Sequence, residues 1–304
     1  MRAWLKKLYH KLPVIREQQM ILSELTRQKM LSDIALRTQL EQHIAGILNH
    51  PKYADSKRLA FHEAQLFSQN GEDGIIGEIF RRIGAGGKSF VEIGVGDGLQ
   101  NNTALLLSQA WSGAWVEADP GNLEAIRGTF KNHLARKSLL LIPAFVNAAN
   151  IVGLLKGAGA PAEPDLLSLD IDLNTYYVWE ALLPKVRARV FAIEYNGHIP
   201  AGVDWKADYE PEAVWDQSSH WWGASLTAYV KLAEQHGYRL VGCDINGVNA
   251  FFVRTDLCGD LFPSPATAEN LFEPARDYLF AWRNMLPEVH HAAVQKLRIR
   301  EAGR

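Results

Sequence analysis

From about residue 61 to about residue 256, short apolar runs rich in β-branched and aromatic side chains alternate with stretches of helical periodicity. No other feature constrains the fold as much, because strand–helix–strand repeats build a parallel sheet with helices on its faces. The expected strands are Ser89–Ile93, Gly113–Glu117, Ser138–Pro143, Leu166–Asp170, Arg189–Glu194, Tyr238–Asp244 and Ala250–Arg254. The last two are separated by Ile245-Asn246-Gly247-Val248-Asn249, and Asn-Gly tolerates the positive φ that a tight hairpin requires. The expected fold is therefore α/β: a Rossmann-like, seven-stranded, mostly parallel sheet with an antiparallel hairpin and helices on both faces.

The flanks differ in texture. Residues 1–50 contain one proline, Pro13, and one glycine, Gly46, and are rich in Leu, Gln, Arg and Glu. Ile15, Leu22, Leu25, Leu36, Leu40, Ile44 and Ile47 recur at three, four or seven residues, with polar interruptions at Lys29 and Ser32. This pattern predicts a long amphipathic helix that pairs with another copy as a coiled coil or packs on the main domain. Its first twelve residues set Trp4, Leu5, Leu8 and Leu12 beside Lys6, Lys7 and Lys11, which suits peripheral contact with a membrane surface or packing on protein. Residues 51–60 read as a polar linker, 61–256 as the main domain and 257–304 as a helical extension.

Composition removes several classes of function. A net charge of −2 over 304 residues argues against a nucleic-acid surface spread over the molecule. Two cysteines, Cys243 and Cys258, make neither a disulfide framework nor a zinc site. No apolar run reaches the roughly 18 residues that span a bilayer. The expectation is a cytoplasmic protein, or one peripheral to the inner face of a membrane.

Within the main domain, Phe90-Val91-Glu92-Ile93-Gly94-Val95-Gly96-Asp97-Gly98 is a strand running into a glycine-rich turn. The third glycine comes one residue too early for a dinucleotide fingerprint, and Asp97 would oppose a pyrophosphate. An NAD-dependent oxidoreductase is disfavoured on both counts. A cationic, phosphate-free nucleoside such as S-adenosylmethionine (SAM) tolerates the carboxylate. The next strand ends in Glu117, spaced to accept hydrogen bonds from both ribose hydroxyls, with Asp119 as a second choice. After the third strand, Asn147 and the backbone near Val146 are placed to read an adenine edge, although Asn147 taken alone is more simply a turn residue. Gly84-Ala85-Gly86-Gly87-Lys88-Ser89 is not a P-loop, because position 82 is arginine and the segment precedes a strand.

In this order, FVEIGVGDG, WVEADP and LLSLDID resemble the Class I SAM-dependent methyltransferases. Ser68–Ile76, Ser168–Trp179, Ile193–Pro200 and Gly223–Val253 resemble the FkbM-like branch, over roughly residues 62–256. The resemblance implies SAM as cofactor, held by Gln69, Glu92, Gly94, Gly96, Asp97, Glu117, Asn147 and Asp170. It also implies O-methylation of a sugar or glycolipid precursor of a surface polysaccharide.

The fourth and fifth strands end in acids two residues apart, Asp170/Asp172 and Glu194/Asn196. Side chains on a strand alternate with period two, so each pair shares one side, and carboxyl strand ends form the ligand crevice of such sheets. Oxygen ligands converging from two strands suit Mg²⁺ or another hard divalent cation, with Asp170, Glu194 and Asn196 as its ligands. The arrangement resembles metal-dependent O-methyltransferases, in which the cation lowers the pKa of the attacking hydroxyl. Those enzymes often place Lys or His three residues after the first acid; here that residue is Leu173. Asp172 is then a ligand, a metal-free general base, or with Asp170 simply a helix cap, and His198 is a second candidate base.

The irregular stretch 199–223 carries Asp204, Trp205, Tyr209, Trp215, His220, Trp221 and Trp222. Aromatic faces beside carboxylates suit a carbohydrate acceptor, and Asp204, Trp205 and His220 are its candidate contacts; buried packing is the plainer reading of Trp221 and Trp222. The partners expected are this acceptor, no nucleic acid, and further copies of the chain. The competing reading is a non-catalytic SAM-fold scaffold that assembles through its N-terminal helix.

Overall fold

The computed structural model describes residues 13–216 and 218–279, and the chain divides into two compact units, Met1–Lys52 and Tyr53–Arg304. Among the described residues the first unit contains a 36-residue helix, α1 (Pro13–Leu48), about 54 Å long at 1.5 Å per residue. Proline is harmless at its first turn, where the missing N–H has no partner to lose. Met20, Ile21, Leu22, Leu25, Met30, Leu31 and Ile34 are exposed on it. The basic segment 1–12 lies outside the described residues.

The second unit is built on a seven-stranded sheet in the order β3-β2-β1-β4-β5-β7-β6. Its strands are β1 (Ser89–Ile93), β2 (Ser112–Glu117), β3 (Leu139–Pro143), β4 (Leu166–Leu169), β5 (Val190–Glu194), β6 (Tyr238–Cys243) and β7 (Asn249–Arg254). Only β7 runs antiparallel to its neighbours β5 and β6. The hairpin predicted at Asn246-Gly247 joins β6 to β7, with Gly247 at φ +76°. Every expected strand is present to within a residue at each end.

Alternating side chains divide the core between the two faces of the sheet. Val91, Ile93, Val116, Leu167, Leu169, Phe191 and Ile193 pack with helices α6 (Ile151–Ala158), α7 (Thr175–Leu182) and α8 (Leu226–Gln235). Phe90, Trp115, Leu166, Val190, Ala192 and Phe251 pack with α2 (Glu72–Ile83), α3 (Ala104–Ser108) and α4 (Pro120–Thr129). The central strands are buried on both faces, which is why they read as unbroken apolar runs. A short helix α5 (Lys131–Ala135) precedes β3.

Beyond β7 the structure departs from the expected helical extension. Helices α9 (Thr255–Cys258) and α10 (Ala268–Leu271) are only four residues each and are separated by irregular chain. Pro263, Pro265 and Pro274 remove the backbone donors that a longer helix would use. The remainder of that extension lies outside the described residues. Among the described residues, no helix is long and apolar enough to cross a membrane.

Candidate functional site

The strand order reverses direction between β1 and β4, and ligands of open α/β sheets bind at that switch point, outside the carboxyl ends of the strands. Two cavities of about 650 and 290 Å³ lie there and share Gly94, Gly96 and Asp170 as lining, so they form one cleft.

The glycine turn after β1 forms its floor. Gly94, Gly96 and Gly98 all have positive φ. A Cβ on Gly94 would lie 1.7 Å from the Asp170 carbonyl oxygen, and one on Gly98 would lie 2.7 Å from the Trp115 ring. These two are therefore required by packing, Gly94 because β1 and β4 converge on it. Gly96 differs: nothing lies within 4 Å of its would-be Cβ, so its open side faces the cleft. Asp97 lines the smaller cavity and accepts from Leu99 N at 2.9 Å.

Glu117, at the end of β2, is fixed by three backbone donors. Its Oε2 accepts from Gly96 N at 2.8 Å, and its Oε1 accepts from Ala118 N and Asp119 N at 2.9 and 2.8 Å. The same carboxylate thus pins the glycine turn and lines the larger cavity. Asp119 lines it too, and caps α4 by accepting from Asn122 N. The remaining wall after β3 comes from Ala144, Phe145 and Val146. Asn147 does not line the cleft; its Oδ1 accepts from Ala149 N and Asn150 N, making it a turn residue.

The smaller cavity is polar. Gln69, Glu72, Glu92, Asn101, Asn102 and Asn249 line it with the glycine turn. Glu92 accepts from Asn102 N, Thr103 N and the Thr103 hydroxyl, while burial pushes its carboxyl up to about 7. Glu72 accepts from the side-chain amides of Asn70 and Asn249. The Asn101 Nδ2 donor and the Asn249 Oδ1 acceptor are buried without partners. An unfilled donor and an unfilled acceptor in one cavity fit a ligand that offers both signs, such as an amino-acid group. No local pattern marks Asn101 or Asn249, which lie nine residues beyond the β1 acid Glu92 and at the start of a hairpin strand.

Asp170 and Asp172 line the cleft, and with the buried Glu194, which lines neither cavity, each offers a carboxylate oxygen within 4.8 Å of the others. Burial, followed by the charges of Asp170 and Asp172, holds the Glu194 carboxyl well above its ordinary range. Asp170 is raised as well, chiefly by burial, and Asp172 is raised to about 6 by burial and then by Asp170. Asp172 also adopts φ +56°, a left-handed conformation uncommon for a residue with a Cβ and often found at functional positions. Glu194 Oε2 has no hydrogen-bond partner, nor has the fully buried Tyr229 hydroxyl, whose acidity is reduced by burial and then by Glu194.

Other expected residues fall elsewhere. Asn196 is fully buried and engaged: its Nδ2 donates to the carbonyls of His220 and Trp222, and its Oδ1 accepts from His198 N. It organises the loop, and Asp172 takes its place in the acidic cluster. His198 does not line the cleft; its ring lies 4.2 Å from that of His220, with Asp277 3.6 Å from Nε2. Asp204 pairs with Lys231 at 2.7 Å, and Trp205 meets Trp221 edge-on. Asp204, Trp205 and His220 are likewise absent from the cleft lining, which receives Ala213 and Val214 from the same stretch.

No family model matches the chain, and no curated protein does. Among solved structures it is similar to the pyocyanin biosynthetic protein PhzM, with 18% identity over 59% of this chain and a TM-score of 0.35; it spans 54% of PhzM. It is also similar to the N-terminal domain of EvdMO1 with SAH bound, with 12% identity, 62% of this chain, 81% of that one and a TM-score of 0.40. A third is precorrin-6y C5,15-methyltransferase from Geobacter metallireducens GS-15, with 16% identity, 63% and 92% coverage and a TM-score of 0.37. The strand order itself, and not these likenesses, defines the fold described above.

Proposed function

We propose that the cleft binds SAM and that the protein is a SAM-dependent methyltransferase acting on a hydroxyl group. One observation carries this reading: among the described residues, the cleft is lined by seven acids, Glu72, Glu92, Asp97, Glu117, Asp119, Asp170 and Asp172, and by no Lys, Arg or His. A dinucleotide would bring a pyrophosphate with no cation to meet it, at a large electrostatic cost in a partly desolvated cleft. A ligand with a sulfonium, an ammonium and an uncharged adenosine suits the same lining. The larger cavity, with Glu117 and the apolar Phe145 and Val146, takes the adenosine end. The smaller one takes the amino-acid end, where the unpartnered Asn101 amide and Asn249 carbonyl oxygen find their complements.

Bound there, SAM would supply a methyl group on a cationic sulfur that departs as a neutral thioether. The chain's own part is to align the acceptor oxygen for in-line attack and to receive its proton. In the metal-free form of this reading Asp172, which lines the cleft and is raised to about 6 by burial and then by Asp170, takes the proton as general base; in the other form it is a cation ligand. A divalent cation would be held by Asp170, Asp172 and Glu194, filling the open position on Glu194 Oε2, and would lower the pKa of a coordinated hydroxyl. The acceptor class, a sugar hydroxyl of a polysaccharide or glycolipid precursor, comes from the FkbM-like resemblance of Ser168–Trp179 and Ile193–Pro200.

Calorimetry of the full chain with S-adenosylhomocysteine (SAH) tests the donor assignment: micromolar binding that NADH does not displace is expected. A chain that binds NADH in preference to SAH refutes it. Transfer of labelled methyl to mono- and disaccharide acceptors, with and without EDTA, tests the acceptor class and the cation separately.

A further inference from the structure

The outer wall of the larger cavity comes from a segment far along the chain from the donor-binding strand ends. Residues 207–216 contain no helix or strand, and Ala213 and Val214 within them line the cleft. Hydrogen bonds to three other places hold this segment. Asn174, only 3% exposed, donates its Nδ2 to Glu210 O at 2.7 Å and to Ala213 O at 3.4 Å, and its Oδ1 accepts from Glu210 N. The Tyr177 hydroxyl donates to Ala207 O at 2.8 Å. The Tyr209 hydroxyl accepts from Ala148 N at 3.1 Å. The segment is thereby tied to the turn after β4, to α7 and to the loop after β3.

A second observation says what the wall is for. Val214 is 68% exposed and Phe145 is 42% exposed, and these two apolar side chains line the same cavity from different segments. A flat aromatic group lodged between them would remove both from water, a gain that scales with the apolar area covered. A purine is such a group.

We propose that residues 207–216 are a strap that grips the purine end of the donor, with Val214 as the contact and Asn174 as the positioning residue that sets it. The proposal rests on the donor reading given above. Asn174 follows Asp172 by two residues, so the turn that carries the candidate base also anchors the strap. Donor release requires Val214 to withdraw and is therefore governed by the Asn174 and Tyr209 hydrogen bonds.

The test uses the full chain with SAH and with 5′-methylthioadenosine, which keeps the purine end and lacks the amino-acid end. Release rates are read by stopped flow and ligand-free stability by thermal melting. Val214→Gly is expected to speed release of both ligands by about tenfold, equivalent to ~1.4 kcal/mol, without moving the ligand-free melt. Asn174→Ala and Tyr209→Phe should also speed release, leaving association no slower. If Asn174→Ala fails to fold, Val214→Gly, at an exposed position, decides alone. Wild-type release rates in Val214→Gly overturn the strap while leaving the donor assignment standing. Failure of the wild-type chain to bind either ligand overturns the donor assignment and the strap together.

Discussion

Asp73 offers a measurement that separates a buried acid's electrostatics from its hydrogen bonds. It sits in the first turn of α2, and its Oδ2 accepts from Leu66 N, Phe67 N and Ser68 N at 2.8, 2.6 and 2.8 Å. Those donors fix the segment leading to Gln69 and Glu72 at the cleft. The other oxygen, Oδ1, is buried without a partner, and burial raises the carboxyl from 3.8 to about 6 despite the three N–H groups. An acid whose folded pKa exceeds its unfolded value stabilises the fold fully below the unfolded pKa, and that contribution is lost as pH rises through the folded pKa. A rise of about two units corresponds to roughly 3 kcal/mol, of which roughly 1.4 kcal/mol falls between about pH 5 and about pH 7.5. Asp73→Asn retains an amide oxygen for the three donors and cannot ionise. Glu92 and Asp172 titrate in the same window in both proteins, so the difference in pH dependence isolates Asp73. Urea unfolding at the two pH values should show the wild-type chain losing about 1–1.5 kcal/mol more than the variant. Parallel pH dependences would refute the argument that burial controls this carboxyl.

Four further variants test the cleft. Gly94→Ala places a Cβ 1.7 Å from the Asp170 carbonyl at φ +82°, so it should abolish SAH binding and destabilise the chain by about 2–3 kcal/mol or more. Gly96→Ala, into open space, should preserve the melting temperature to within a few degrees while weakening SAH. Glu117→Ala leaves the N–H groups of Gly96, Ala118 and Asp119 without their acceptor, so it should lower the melting temperature and weaken SAH by about tenfold; unchanged affinity would detach Glu117 from the ligand. Glu194→Gln removes one of three crowded acids, so the metal-free protein should melt higher, Mn²⁺ binding by calorimetry should disappear and SAH affinity should stay within about twofold. Undiminished Mn²⁺ affinity in that variant rules out Glu194 as a ligand.

Much of this architecture was legible in local sequence, because local rules produce it. A strand buried on both faces must be apolar throughout, so β1, β4 and β5 announce themselves as runs such as Val190–Ile193. Asn246-Gly247 marks its hairpin because few other residues accept positive φ. Glu117 was legible for the same kind of reason, since an acid at the end of the second strand is set by spacing alone. The long helix α1 followed from the scarcity of Gly and Pro over residues 13–48.

Where long-range contacts decide, local reading failed. Asn196 has the right chemistry at the right strand end, yet the distant carbonyls of His220 and Trp222 engage it, whereas Asn147 makes the local turn that was its plainer reading. A strand's period of two says which side an amide emerges on, and nothing about a carbonyl 24 or 26 residues away that captures it. Over residues 259–276 the expected helical extension is reduced to the four-residue α10, because Pro263, Pro265 and Pro274 interrupt it. His198, Asp204, Trp205 and His220 share a stretch with Val214, but only the return path of the chain decides which of them meets the cleft.

The sequence by itself determined the order and kind of the elements, the glycine turn and the acids at strand ends, since these depend on backbone conformation and on neighbours within a few residues. Tertiary structure alone decided that Asn101 and Asn249 face one polar cavity, that Asp172 completes a cluster with Asp170 and Glu194, and that Asn174 ties a distant strap over the cleft. Each of those groupings joins residues from different strands or loops, and their energies depend on burial and distance, which a linear pattern does not contain.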